Sequence, residues 1–155
     1  MIDAALTAEL TTLRGHYPVP KAALVPVLMR VQQQLGWITP EAREWVAKFL
    51  SITTMEVHEV ATFYPMFFVK PVGKHVIHVC RTLSCDACGG KELWRHLEGK
   101  LGVKGGGTTA DGKFTLKEGE CMGACAMAPV LLVNNKKMHD YMSNEKIDQL
   151  LNDLK

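Results

Sequence analysis

Five cysteines fall between positions 80 and 125 of this chain, in two tight groups. "CRTLSCDACGG" carries Cys80, Cys85 and Cys88, and "GECMGACAMAP" carries Cys121 and Cys125. An isolated buried cysteine serves as a small hydrophobe. Two groups beside glycines point instead to metal or redox chemistry, the more so in a reducing compartment where structural disulfides are rare. The opening "MIDAALTAEL" has no basic n-region and no arginine-rich amphipathic character, so no secretion or transit signal is expected. The longest apolar stretch, "VATFYPMFFV", is far shorter than the roughly 18–20 residues of a membrane span.

Several sulfur chemistries compete for these positions. Tetrahedral zinc favours paired CxxC knuckles, and only Cys85 and Cys88 fit that spacing. The same CxxC precedes a helix, as in dithiol oxidoreductases, but that reading leaves Cys80, Cys121 and Cys125 without a role. A Rieske centre needs two histidine ligands; His75 and His78 are near, yet no Cys-x-His pair exists, and His78 reads as a polar strand residue. A [2Fe–2S] cluster with four cysteine ligands remains. One scheme uses the CxxxxCxxC run of Cys80, Cys85 and Cys88 with one distant cysteine, as in plant-type ferredoxins. The other pairs Cys80 with Cys85 and Cys121 with Cys125, two sulfurs for each iron, and omits only Cys88. Gly119, Gly123, Ala124 and Ala126 are small enough to let backbone N–H groups approach the sulfurs and stabilise their charge.

The elements that must position these residues can be read from pattern. The character of the chain changes near "VKPVGKHV" (69–76), and two domains are expected, 1–70 and 71–155. The first reads as a bundle of about four short helices. One covers about residues 3–14. A second ends at Gly36 with Leu24, Leu28, Val31 and Leu35 on one face, and Pro26 must sit in its first turns. A third starts at "TPE" with Thr39 as N-cap and Pro40 as first residue, and buries Ala42, Trp45, Val46 and Phe49. A fourth begins at "TTME", where Thr53 and Glu56 have capping-box spacing, and runs towards "ATFYPMF". Phe63, Tyr64 and Phe67 are expected to pack between the two halves, with any exposed remainder marking a partner surface.

The second half opens with the strand "KHVIHVC" and continues into the helix "GGKELWRHLEGKLG" with Leu93, Leu97 and Leu101 in a stripe. "KFTLK" is a short strand, and "APVLLV" is a strand buried on both faces. "NN" at 134–135 suits a tight hairpin turn, "KKMHDYM" returns as an edge strand, and a helix from Ser143 closes the chain. Strand–helix–strand followed by strand–strand–helix is an α+β arrangement, compatible with a thioredoxin-like layer of helices on a mixed four-stranded sheet. If the two cysteine loops follow neighbouring strands, they open at the same end.

Taken together, "QQQLGWITPEA", "EVATFYPMF", "VCRTLSC", "TADGKFTL" and "GECMGACAMAPVLLVNN" resemble the thioredoxin-like [2Fe–2S] ferredoxin subunits of NADH:quinone oxidoreductase (respiratory complex I), over nearly the whole chain. The resemblance implies cluster ligands at Cys80, Cys85, Cys121 and Cys125 and leaves Cys88 a spectator. It implies a larger flavoprotein partner that holds FMN and NADH, embraced by the N-terminal helices, and further iron–sulfur subunits in the complex. It also implies electron transfer in single steps beside a flavin that receives two electrons at once from NADH. The expected place is the cytoplasmic face of a bacterial inner membrane, peripheral and without insertion. Related subunits serve NAD-reducing hydrogenases and NAD-dependent formate dehydrogenases, which stand as alternative hosts. A cis peptide before Pro129 is implied by the thioredoxin-like resemblance alone.

No substrate-converting site is expected: no nucleophile–base or acid–base pair emerges, and "KGGG" (104–107) lacks the spacing of a phosphate loop. A redox-sensing DNA-binding regulator would show clustered Lys and Arg on a recognition helix. "VQQQLG" is preceded by one Arg30 and "EAREWVAKF" is charge-balanced, so no nucleic-acid partner is expected. Met122 and Met127 read as hydrophobic shielding of the second cysteine loop rather than ligands.

Overall fold

The computed structural model describes residues 2–154. The chain divides into two compact units, Met1–Pro71 and Val72–Lys155.

The first unit is helical. Helix α1 (Ala4–Gly15) starts at Asp3, whose carboxylate accepts the Leu6 N–H at 2.7 Å. A 3₁₀ turn (Pro20–Ala23) leads into α2 (Leu24–Leu35). Pro26 falls in the first turn of α2, where a missing N–H costs no intrahelical bond. Leu24, Val27, Leu28 and Val31 form its buried face, and Gly36 ends it at φ 82°. Helix α3 (Pro40–Leu50) is capped by Thr39, which accepts the Ala42 N–H. Ala42 and Val46 are buried, while Trp45 and Phe49 stack at 4.9 Å on the rim of the core. Helix α4 (Thr54–Phe63) carries the complete capping box, with Thr53 and Glu56 each accepting the other's backbone N–H.

Gln32 pins the chain beyond α4. Its amide donates to the Met66 carbonyl at 2.9 Å and accepts the Phe68 N–H at 2.7 Å. The aromatic segment departs from expectation here. Phe67 lies in the core of the helical unit itself, whereas Phe63 is 76% exposed and Tyr64 is exposed beside it. Phe63 is the last residue of α4 and stands on its outer side, so helix phase, not hydrophobicity, sets its fate.

The second unit is a four-stranded mixed sheet with helices, in the order β2–β1–β3–β4. Strand β1 (His75–Cys80) runs parallel to β2 (Phe114–Gly119) and antiparallel to β3 (Leu131–Val133), which pairs in turn with β4 (Lys137–His139). Asn134 and Asn135 both adopt φ 55°, the conformation a two-residue hairpin turn demands. Between β1 and β2 come a one-turn helix α5 (Leu83–Cys85), a wide turn (Asp86–Gly90) and helix α6 (Lys91–Leu101). Helix α7 (Asn144–Asp153) is capped by Ser143. Ile77, Val79, Leu93, Leu97, Leu116, Leu131 and Ile147 are the centre of its core. Each such fully buried aliphatic side chain contributes about 1.5–3 kcal/mol. The architecture is the expected α+β one, helices first and then a mixed four-stranded sheet. Helical structure reaches back to Leu83, however, six residues before the expected start, and β3 takes up only the second half of "APVLLV". The Ala128–Pro129 peptide is cis. No helix among the described residues is long and apolar enough to cross a membrane.

Candidate metal centre

Topology brings the two cysteine groups to one end of the sheet. Cys80 is the last residue of β1 and pairs in register with Gly119, the last residue of β2. Two further hydrogen bonds close the assembly: Cys80 N–H to the Val130 carbonyl at 3.2 Å, and Arg81 N–H to the Gly119 carbonyl at 3.0 Å. Cys80 and Cys85 are buried with Val130 in a small apolar cluster of their own, against which Met122, Ala124 and Ala128 pack. Met122 thus covers the buried thiols, while Met127 lies at the surface.

The thiols fall into two pairs. Cys121 and Cys125 have their Sγ atoms 3.8 Å apart. Two thiolates on one tetrahedral metal, with bonds of about 2.3 Å, stand at about that separation. Cys80 and Cys85 are buried together, close enough for each thiol to shift the ionisation of the other. The pairs also meet: Cys125 lies close enough to Cys85, and Cys80 close enough to Cys121, for a thiolate on one to oppose ionisation of the other. Among the described residues no three His, Cys, Asp or Glu side chains gather on a single point. Two facing pairs suit two irons; a single zinc would need all four sulfurs around one centre. Cys88 stands apart, exposed on the wide turn after Cys85.

The surroundings treat the sulfurs differently. Burial alone would raise the Cys80 pKa; the Thr82 hydroxyl and N–H, the Cys85 thiol and the Met122 N–H outweigh it and hold the value below the usual thiol range. The Gly123 N–H, 3.5 Å from Cys121 Sγ, leads the groups that lower the Cys121 pKa, followed by the Cys125 thiol and the Thr82 hydroxyl. Gly123 makes that contact at φ 73°, a conformation that side-chain-bearing residues rarely adopt. Burial, with the neighbouring Cys80 and Cys125 thiolates, pushes Cys85 up to about 11 against the opposing Val130 N–H. A metal supplies the positive charge such a buried sulfur lacks, and its binding releases the proton. Gly90 matters for packing: a Cβ there would lie 2.7 Å from the Cys85 carbonyl oxygen, so α6 could not start where it does.

Two residues that spacing did not single out hold this end together. Arg81 reaches Asp86 on the first cysteine loop and Glu118 at the end of β2, each at 3.3 Å, while its guanidinium lies 5.1 Å from the Trp94 ring centroid. Thr82 places its hydroxyl 3.2 Å from Cys80 Sγ. Both sit inside "CRTLSC", and their polar types beside a cysteine were the available signal. His78 is buried in β1, where burial and then Lys117 bring its pKa down to about 4 and keep the ring neutral. A cavity of about 560 Å³, lined by Phe114, Asp111, Lys100 and Leu151 among others, lies at the opposite end of the sheet from the cysteines.

The chain is similar to several known proteins. The family model for thioredoxin-like [2Fe–2S] ferredoxins matches residues 10–155. NADH-quinone oxidoreductase subunit 2 of Thermus thermophilus is 41% identical over 131 residues, covering 84% of this chain and 72% of that one. An NADH-quinone oxidoreductase subunit of Rhizobium meliloti is 38% identical over 143 residues, covering 92% of this chain and 84% of that one. Among solved structures, an NAD+-reducing [NiFe]-hydrogenase in the air-oxidised state superposes with a TM-score of 0.73 at 23% identity, a likeness of fold. It covers 85% of this chain, which spans about a fifth, 22%, of that hydrogenase chain. With its family model matched over nearly its whole length and relatives this similar, the chain belongs to the thioredoxin-like [2Fe–2S] ferredoxins.

Proposed function

We propose that this chain is the electron-transfer subunit of an NADH:quinone oxidoreductase, carrying one [2Fe–2S] cluster on Cys80, Cys85, Cys121 and Cys125. The observation that carries the reading is the pairing of the thiols: Cys121 with Cys125 at 3.8 Å, and Cys80 with Cys85 behind them, at one end of the sheet. When bound, the cluster supplies one-electron storage. The chain's own groups hold it: Gly123, Met122 and Val130 direct N–H groups at the sulfurs, and the buried cluster around Cys80 and Cys85 keeps water from one side.

The partner is a larger flavoprotein that binds FMN and NADH, in a complex with further iron–sulfur subunits. Two features support it. The relatives named above are subunits of NADH-quinone oxidoreductases. The cysteine end is open to solvent at Cys121 and Cys125, and Leu83 beside it is 86% exposed, an apolar side chain suited to a protein surface. The helical unit supplies a docking surface of its own through Phe63, Tyr64 and Met55. The complex would hold the chain at the cytoplasmic face of the membrane without insertion.

Anaerobic reconstitution tests the ligand set. The wild type and Cys88→Ser should give the same visible absorbance and the same low-temperature EPR signal on reduction, with two irons per chain. Cys85→Ser and Cys121→Ser should lose both. Loss of the centre in Cys88→Ser, or its survival intact in Cys121→Ser, refutes the assignment. Co-purification with a flavoprotein whose bound FMN reduces the centre on addition of NADH tests the partner.

A further inference from the structure

Thr82 occupies the N-cap position of α5 yet makes no capping hydrogen bond with its side chain. Threonine at such a position normally turns its hydroxyl to a backbone N–H of the first turn. Here the hydroxyl turns the other way. Its oxygen is 3.2 Å from Cys80 Sγ, and the hydroxyl lies near enough to Cys121, a sulfur of the other pair, to help lower its pKa. The Thr82 N–H also helps to lower the Cys80 pKa. The side chain therefore turns back on Cys80 instead of capping the helix.

We propose that Thr82 sets the reduction potential of the cluster, its hydroxyl donating to the Cys80 thiolate sulfur and favouring the reduced state. The inference rests on the four-cysteine ligand set above. A metal-bound thiolate has no proton to give, so the hydroxyl is necessarily the donor. Reduction adds one negative charge to the cluster without breaking or forming a covalent bond in the protein. A hydrogen bond to a more negative acceptor is stronger, so the donor stabilises the reduced form more than the oxidised one and raises the potential. Cys80 is 2% exposed, which keeps water from replacing the hydroxyl there. Thr82 touches a ligand atom, while Arg81 next to it acts only through the placement of the two loops.

The experiment is an EPR-monitored redox titration of the reconstituted full chain. Thr82→Val keeps the shape and removes the donor. At a fixed ambient potential its ratio of reduced to oxidised cluster should fall about tenfold, a shift of 59 mV for a one-electron couple. Thr82→Ser keeps the hydroxyl and should stay within about threefold of the wild type. Thr82→Ala repeats the measurement if the valine variant assembles no cluster. A merely structural role would lower cluster occupancy and leave the potential of the remaining centres unchanged. A Val or Ala variant that holds the cluster at the wild-type potential overturns this inference alone, as does a Ser variant displaced as far as Val. A wild-type chain that assembles no two-iron centre overturns the proposed function and this inference with it.

Discussion

Arg81→Gln isolates the clasp between the two cysteine loops. The arginine side chain is 23% exposed, and it makes three contacts with separate segments: Asp86, Glu118 and Trp94. Asp86 is at least as sheltered, at 21%, and that pair is worth about 1 kcal/mol; Glu118, 65% exposed, adds a few tenths. The guanidinium over Trp94 adds about 1 kcal/mol, between the exposed and desolvated cases. Glutamine keeps much of the aliphatic stem, so the loss is about 2 kcal/mol. For a unit of this size the thermal midpoint should fall by roughly 10 °C, read by calorimetry on the metal-free full-length protein. Because Asp86 adjoins Cys85 and Glu118 leads towards Cys121, the substitution should also hasten bleaching of the loaded cluster by a chelator. Arg81→Lys, which keeps the charge but loses the planar fork, should lie between wild type and Gln. A Gln variant that melts within about 2 °C of wild type and bleaches at the same rate refutes the clasp.

Leu28 is fully buried in the helical core, so Leu28→Ala should cost about 2–5 kcal/mol, seen as a lower urea midpoint for the helical signal. Thr53→Ala removes the side-chain half of the α4 capping box and should cost about 1 kcal/mol in the same measurement. Glu56 accepts from Lys21 and from Thr53, which together lower its pKa from 4.5 to about 2 in the folded chain. The unfolded chain therefore binds the proton first: this stabilisation is complete above about pH 4.5 and is lost as the pH falls towards 2. Glu56→Gln should flatten that acid limb in a series of melts, and an unchanged limb would show that other carboxylates dominate it.

Much of the fold is written in local signals. Thr39, Thr53 and Ser143 cap the helices that begin at "TPE", "TTME" and "SNEK", and Asn134 and Asn135 make the hairpin turn, because capping and positive φ depend on a few adjacent atoms. The Leu and Val stripe of α2 and the Leu stripe of α6 mark their buried faces for the same reason. The wide turn at Asp86–Gly90 was not legible. Gly90 permits it by close approach to the Cys85 carbonyl, a contact no periodicity reports. Phe63 misled in the opposite sense: hydrophobicity suggested burial, and its phase at the end of α4 put it in solvent.

The cysteines divide along the same line. By itself the sequence determined that five thiols were available, at what spacing, and beside which glycines. The tertiary structure decided which of them meet. Cys80 and Cys121 are far apart in the chain and come together because β1 and β2 run parallel in a register that aligns Cys80 with Gly119. Cys88, three residues from Cys85, is carried away by a turn whose Gly89 takes φ 99°. The role of Arg81 belongs to the tertiary structure too, since it acts by touching groups from segments distant in sequence. Spacing is a property of one strand of chain; a cage of sulfurs is a property of two loops, and only the sheet between them sets their distance.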